Sequence, residues 1–234
     1  MKRRRLGQHY LVDDRVIEEI LEFARIEPTE RVLEIGTGEG ALTGKLSRLG
    51  ASFLGYEVDE ENYRKTLEAV RGRNAEVVHA DAFTQDPKFD VLVASLPYSE
   101  SAPFVRWLSG REFGRAVVVL QKDFLEKITA APGERNYRGI SAVSQIAFEI
   151  RVLGRVGRRS FDPPPRVDSV IASFSRKRKI SEEEAASVIR LFSLRRRQVD
   201  AALADLGFRS DKVYGKRRVF SLAPDEVHAI CRPK

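Results

Sequence analysis

The chain has 234 residues, a formal net charge of +7 and a pI near 9.6. Its single cysteine, Cys231, excludes disulfides within the chain and a cysteine-rich zinc site, and the scattered histidines predict no metal. No apolar run is long enough to span a membrane and no signal-peptide core follows the basic N-terminus, so we expect a cytoplasmic protein without membrane association.

Helical and strand patterns alternate along the first two thirds of the chain. A helix is predicted to begin at Asp13, and helical stretches separate the first strands. Such alternation predicts an α/β fold with a mostly parallel, doubly wound sheet. The connection between the last two strands is too short for a crossover helix, so we expect these two to pair antiparallel. The seven strands are predicted near 31–35, 52–57, 76–79, 89–95, 115–120, 145–153 and 168–175.

The first strand runs into three glycines at alternate positions, Gly36, Gly38 and Gly40, followed by a helical pattern. Glycine allows close backbone approach and positive φ, and a helix N-terminus offers unpaired N–H groups. The G-x-G-x-G spacing differs from the G-x-G-x-x-G of dinucleotide sites. It favours a nucleoside with a small charged tail.

Acidic residues follow the next two strands. Glu57, 21 residues after Gly36, is expected to accept the two ribose hydroxyls, and Asp81 is expected to accept the amine of an adenine. Ligands of open α/β sheets bind outside the carboxyl ends of the strands. We therefore predict that both acids and the glycine loop share one site.

The fourth strand ends in Ser95-Leu96-Pro97-Tyr98, called the SLPY segment below. The Ser95 hydroxyl and the Leu96 carbonyl are suited to accept protons of an exocyclic amine. Pro97 fixes the backbone, and Tyr98 is suited to stack on a base. The interpretation is a catalytic grip on a base; a strand-terminating turn is the alternative for so short a string.

The periodic pattern changes after about residue 176. Ser181 and Glu184 predict a capping box that opens a helix with Ala185, Val188, Ile189 and Phe192 inward, and further helices are expected near 198–206 and 224–231. We predict a catalytic domain over 1–176 and a small helical domain over 177–234. Basic clusters that attract a polyanion occur at Lys2–Arg5, Arg158–Arg159, Arg176–Lys179, Arg195–Arg197 and Lys216–Arg218.

Nearly the whole chain resembles S-adenosylmethionine-dependent methyltransferases, and more narrowly the KsgA/Dim family of ribosomal RNA dimethyltransferases with their erythromycin-resistance relatives. Ordered motifs carry the resemblance: Leu6–Leu11, Leu33–Gly40, Gln121–Phe124 with Pro132-Gly133, Tyr137 and Ser141, then Phe161–Ser169 and Phe192–Arg197.

The resemblance implies a Rossmann-like class I fold, S-adenosylmethionine as cofactor, and ribosomal RNA within the small subunit or its precursor as partner. It also implies dimethylation and RNA binding by the small helical domain over 177–234, and we expect a monomer. Cofactor contacts are expected from Gln8, His9, Leu11, Gly36, Gly38, Gly40, Glu57, Asp81, Ala82 and Ser95. Contacts with the base or the RNA are expected from Phe161, Arg195, Arg196 and Arg197, and a position in the core is the alternative for Phe161. We expect no nearby acid to neutralise these arginines.

The SLPY segment departs from the family, whose string normally begins with Asn. In the wider group of amino-methyltransferases Ser at this position accompanies cytosine N4 acceptors, because a hydroxyl both donates and accepts. We therefore expect a cytidine N4 acceptor, with adenosine N6 as the alternative. A non-catalytic ribosome assembly factor is a further alternative because fold does not imply activity, and a DNA methyltransferase is less favoured because the chain lacks a large target-recognition domain.

Overall fold

The computed structural model describes residues 9–233. Its strands are β1 (Tyr10–Leu11), β2 (Arg31–Ile35), β3 (Ser52–Glu57), β4 (Ala75–His79), β5 (Val91–Ser95), β6 (Arg115–Gln121), β7 (Phe148–Val156), β8 (Phe161–Asp162) and β9 (Ser169–Arg176). Its helices are α1 (Asp14–Ala24), α2 (Ala41–Leu46), α3 (Glu60–Ala69), α4 (Ser101–Ser109), α5 (Lys122–Thr129), α6 (Gly139–Ala147), α7 (Glu182–Ser193), α8 (Val199–Leu206) and α9 (Pro224–Cys231).

Seven of the strands form one sheet in the order β4-β3-β2-β5-β6-β9-β7. Strands β2 to β6 run parallel, and β9 pairs antiparallel with β6. The predicted fold class is confirmed. The sixth predicted strand, 145–153, is displaced: α6 continues to Ala147 and β7 begins at Phe148. The sequence has no turn residue between Ser144 and Arg151 to mark where the helix ends.

Two compact units make up the chain. The first contains residues up to Ser101 together with Glu112–Lys122 and Arg151–Ser175, and the second contains Ala102–Arg111, Asp123–Ile150 and Arg176–Lys234. The predicted domain boundary at residue 176 stays a prediction. None of the helices within residues 9–233 combines the length and the hydropathy of a membrane span.

Burial of apolar side chains holds the first unit together. In α1, which the Asp13 carboxylate caps by accepting the Arg15 N–H at 3.1 Å, Ile17 and Ile20 are fully buried. A separate two-stranded ribbon pairs β1 with β8, matching Leu11 with Phe161. This ribbon fastens the segment before α1 to the loop after β7.

Helix α7 organises the second unit. The Ser181 hydroxyl accepts the Glu184 N–H at 3.0 Å as predicted, but the Glu184 carboxylate bonds Nδ1 of His228 on α9 instead of completing the capping box. Glu184 is buried, and a buried carboxylate is stable only when it has a hydrogen-bond partner inside the protein. Ala185, Val188 and Phe192 are buried as predicted, whereas Ile189 is 38% exposed and its predicted inward position is wrong.

Candidate functional site

A cavity of about 260 Å³ lies in the first unit beside the carboxyl ends of β2 to β5. Because these strands are parallel, the loops that follow them meet at one edge of the sheet. The residues that line the cavity include Gly36, Gly38, Glu57, Asp81, Ala82, Ser95, Leu96 and Pro97. The structure therefore brings together most of the site residues predicted from four different strands.

The glycines of the loop have two roles, lining the cavity and allowing two helices to pack closely. Gly36 and Gly38 have φ of 74° and 57° and line the cavity. A Cβ on Gly36 would project into open space, whereas a Cβ on Gly38 would come within 3.3 Å of the Tyr10 ring. Gly36 thus leaves a backbone cradle that a ligand can occupy and that a side chain would fill.

Gly40 lines neither this cavity nor the smaller one described below. It has φ of 87° and precedes α2, and a Cβ there would lie 3.0 Å from the Ala69 Cβ and 3.3 Å from the Thr66 Cα. Its small size allows α2 and α3 to pack closely. Because Gly40 lines neither cavity, its contact with the cofactor stays a prediction.

Glu57 is buried and accepts hydrogen bonds from the backbone N–H groups of Gly38, Val58 and Asp59, at 2.8, 2.9 and 2.9 Å. Burial raises the pKa of this carboxyl, and the three N–H donors oppose that rise. A carboxylate has about four acceptor positions. Glu57 therefore braces the glycine loop and retains about one position for a ligand hydroxyl, fewer than the two that the sequence led us to expect.

Asp81 and its neighbours also line the cavity. One Asp81 oxygen accepts the Phe83 N–H at 2.9 Å and caps the short 3₁₀ turn Ala82–Thr84, while the exposed carboxylate keeps its other oxygen for a ligand. Val58 lines the cavity with 59% of its surface exposed. Apolar side chains beside a free carboxylate oxygen suit a flat aminopurine ring.

Three residues of the SLPY segment contribute to the same cavity. Ser95, Leu96 and Pro97 line the cavity, and the chain then enters a 3₁₀ turn, Tyr98–Glu100. The Tyr98 ring centroid lies 5.3 Å from that of His9, and the Tyr98 hydroxyl lies 3.2 Å from Ser169 Oγ. The end of β5, Pro97 and the Tyr98 ring thus lie beside the cavity that we expect to hold a nucleoside.

The segment before α1 also reaches this site. His9 lines the cavity, and its Nδ1 contacts the Pro163 carbonyl oxygen at 2.7 Å. Leu11 lines a smaller neighbouring cavity of about 90 Å³ together with Ser95. The predicted contact of Gln8 and the basic cluster Lys2–Arg5 fall outside the described residues 9–233.

Sequence reasoning missed several residues of the site, among them Tyr10, Asn62 and Glu34. Tyr10 packs against Gly38 and its hydroxyl accepts the Asn62 amide at 3.1 Å. Glu34 lines the smaller cavity, is 1% exposed and accepts the Thr43 hydroxyl at 2.7 Å; burial raises its pKa to about 8. A carboxylate inside an otherwise apolar strand was the available signal for Glu34.

Phe161 does not line either cavity. It is 4% exposed and belongs to the core of the first unit with Leu11, its partner across the β1–β8 ribbon. The structure thus favours the core role for Phe161 over the expected stacking on a base, because strand pairing turns the ring inward.

The run Arg195–Arg197, in the second unit, has three different environments. Arg195 lies 5.6 Å from the Phe220 ring, donates to the Arg135 carbonyl at 2.9 Å, and has a buried Nε without a hydrogen-bond partner in residues 9–233. Arg197 forms an ion pair with Asp205, so the expectation that no acid neutralises this run is wrong. Arg196 is exposed and has no ion pair within the described chain.

A family model described as "Ribosomal RNA adenine dimethylase" matches residues 1–225. A "Probable ribosomal RNA small subunit methyltransferase A" from Pyrococcus abyssi is 34% identical over 97% of this chain and 89% of its own length. A corresponding protein from Thermococcus onnurineus is 34% identical over 96% of this chain and 89% of its own length.

Solved structures agree with these relatives. A dimethyladenosine transferase from Plasmodium falciparum has a TM-score of 0.79 and 26% identity over 94% of both chains. The 23S rRNA methyltransferase ErmE has a TM-score of 0.66 and 27% identity over 94% of this chain and 98% of its own. None of these comparisons supports the cytidine N4 acceptor that Ser95 led us to expect. The chain belongs to the ribosomal RNA adenine dimethylase family, and it is an S-adenosylmethionine-dependent RNA methyltransferase.

Proposed function

We propose that the chain dimethylates the exocyclic amine of a base in small-subunit ribosomal RNA, with adenosine N6 as the acceptor. One observation carries the proposal: Ser95, Leu96 and Pro97 line the same cavity as the glycine loop, Glu57 and Asp81. A methyl donor bound by the glycine loop, Glu57 and Asp81 would therefore lie beside an amine bound by Ser95 and Leu96. Family membership and the names of the relatives favour adenosine and the small subunit.

The cofactor fits the residues that the cavity offers. Gly36 leaves room at the backbone, Glu57 keeps an acceptor position for the ribose, and Asp81 keeps an oxygen for the adenine amine. When bound, S-adenosylmethionine supplies a methyl group on a cationic sulfonium. Apolar side chains of the cavity, such as Val58, would contact the adenine face.

Ser95 and Leu96 would prepare the acceptor nitrogen. The lone pair of an aromatic amine is delocalised into its ring, so transfer needs the nitrogen oriented in line with the methyl group. The Ser95 hydroxyl and the Leu96 carbonyl oxygen would each accept a hydrogen bond from one N–H of the amine and so direct the lone pair toward the cofactor. Tyr98 would stack on the base and keep it out of the RNA helix.

Cytidine N4 is a second candidate acceptor, favoured by Ser95 alone. A hydroxyl is shorter than the carboxamide usual at this position and donates as well as accepts, which suits the ring nitrogen of cytosine. The two acceptors give different products, dimethyladenosine and dimethylcytidine. Nucleoside identity therefore decides between them.

The decisive experiment incubates the protein with undermethylated small ribosomal subunits and labelled cofactor, then digests the RNA and identifies the labelled nucleoside by mass spectrometry. We expect label in dimethyladenosine, and label in dimethylcytidine would establish the Ser95 argument instead. Free large subunits serve as the control substrate. Cofactor binding without label in any ribosomal RNA would contradict the enzymatic proposal and favour the non-catalytic assembly factor.

The RNA-binding surface that we propose lies in the second unit and centres on Arg135, Arg138, Arg195 and Arg196. Burial, followed by the like charges of Arg138 and Arg196, lowers the pKa of Arg195. The nearby Glu134 carboxylate accepts the Ala131 N–H at 3.0 Å and so caps its own turn. A group of like charges that has no acidic partner among the described residues is stabilised by phosphates.

This surface joins residues 177–234 to the loop that precedes α6, so the proposed RNA-binding region extends beyond the C-terminal segment. Arg195 is held by Phe220 and Arg135 and would orient the group, while the exposed Arg196 would contact phosphate directly. We also retain a monomer and a cytoplasmic location as proposals. Size measured in solution and cell fractionation test them.

A further inference from the structure

We propose that Ser169 is a positioning residue whose buried hydroxyl holds the Tyr98 hydroxyl and thereby fixes the ring on which the acceptor base stacks. This inference rests on the function proposed above. Ser169 begins β9 and lies 71 positions from Tyr98 in the sequence. No motif argument connects the two residues.

The hydroxyl of Ser169 has few alternatives. Ser169 is 1% exposed, and its Oγ lies 3.2 Å from the Tyr98 Oη. A buried hydroxyl without a partner is costly, so this pairing is favoured wherever the Tyr98 ring can reach. The contact fixes the far end of the tyrosine side chain.

Tyr98 needs such a fixed point because its own backbone supplies little rigidity. It begins a single 3₁₀ turn rather than a helix or strand, and its side chain is only partly buried. Ser169, in contrast, pairs in register with Gln121 of β6 inside the sheet. The hydroxyl contact therefore anchors the Tyr98 ring to the same sheet that carries Ser95.

A second support acts on the ring itself. The His9 ring lies 5.3 Å from the Tyr98 ring at an interplanar angle of 40°, and the Pro163 carbonyl holds His9 Nδ1 at 2.7 Å. One side chain contacts the ring and another holds its hydroxyl, so rotation about the side-chain bonds is restricted at two places. A base stacked on Tyr98 would then present its amine to Ser95 in one orientation.

Two variants remove the contact from opposite ends. Ser169→Ala and Tyr98→Phe should each lower kcat for methylation of small subunits about 3- to 10-fold and leave the Kd of S-adenosylmethionine unchanged. The double variant should be no slower than Tyr98→Phe, because both changes delete the same bond. Ser169→Thr should restore part of the rate, and Ser173→Ala, on the same face of β9, is the matched control.

A second measurement does not depend on RNA. In protein with ¹³C-labelled tyrosine, the Cζ resonance absent from Tyr98→Phe should shift in Ser169→Ala and stay in place in Ser173→Ala. An unmoved resonance, or a loss of rate in Ser169→Ala that persists in full on top of Tyr98→Phe, would overturn the inference. If the wild type methylates no ribosomal RNA, the proposed function fails, and an unmoved resonance still overturns the contact independently.

Discussion

The cavity of the first unit and the arginine surface of the second differ in how their charges are held. Glu57 in this cavity and Glu34 in the smaller one beside it are buried, and they accept hydrogen bonds from backbone N–H groups and from a hydroxyl, respectively. On the surface, Arg196 is exposed and forms no ion pair within residues 9–233, while Arg197 has an acidic partner. Burial makes a charge sensitive to protonation, and exposure makes it sensitive to salt. The two regions should therefore respond to different variables.

The largest expected effect is the change of the free energy of unfolding with pH that Glu34 causes. Its folded pKa of about 8 exceeds the ordinary value of 4.5, so the folded protein holds this proton more tightly than the unfolded chain. The resulting stability is present below pH 4.5 and is lost as the pH rises to about 8. We expect a decline of up to about 5 kcal/mol that Glu34→Gln largely abolishes.

Denaturant unfolding of both proteins at several pH values measures this difference. Parallel curves for the wild type and Glu34→Gln would contradict the assignment, because then Glu34 would not be the group that titrates. A change in salt concentration should leave the difference between the two proteins nearly constant, since buried charges are weakly screened. That insensitivity sharpens the contrast with the second unit.

Gly40 should show that one glycine of the loop serves packing. Gly40→Ala combines a positive φ with contacts of 3.0 and 3.3 Å, so we expect it to lower the free energy of unfolding by about 2–3 kcal/mol. Gly50→Ala is the control, because Gly50 also has a positive φ, 77°, but a Cβ there meets nothing within 4 Å. Equal losses for the two variants would mean that strain alone matters.

Glu57 should affect cofactor binding by a smaller amount. Glu57→Ala removes the brace of the glycine loop and a ribose acceptor, so we expect S-adenosylmethionine to bind about 1–3 kcal/mol more weakly. Calorimetry measures the affinity, and Glu60→Ala, an exposed residue of α3, is the control. Unchanged affinity in Glu57→Ala would remove the proposed role.

The arginine surface should give the smallest change, visible mainly in salt dependence. Arg196→Ala should reduce the slope of log affinity for RNA against log salt by about one unit for each lost phosphate contact. Arg197→Ala should change it less, because Asp205 already pairs with that side chain. Equal slopes for both variants and the wild type would mean that this surface does not contact RNA.

The order of the elements and the composition of the cavity follow from the sequence itself. Alternating strand and helix patterns are local, and parallel strands place their carboxyl ends at one edge, so Gly36, Glu57, Asp81 and Ser95 are brought together as expected. Periodicity predicted these positions because it depends on near neighbours in the chain. The displaced start of β7 marks its limit, since no turn residue separates that strand from α6.

Other features were decided only when distant segments packed together. Phe161 entered the core because β8 pairs with β1, and the arginine run acquired three environments through Phe220, Asp205 and solvent. Ser169 reached Tyr98 across 71 positions. Sequence determines which side chains are available and which strand ends they follow. Their burial and partners depend on long-range contacts, which set the desolvation and hydrogen bonding of each group and leave no periodic signal in the chain.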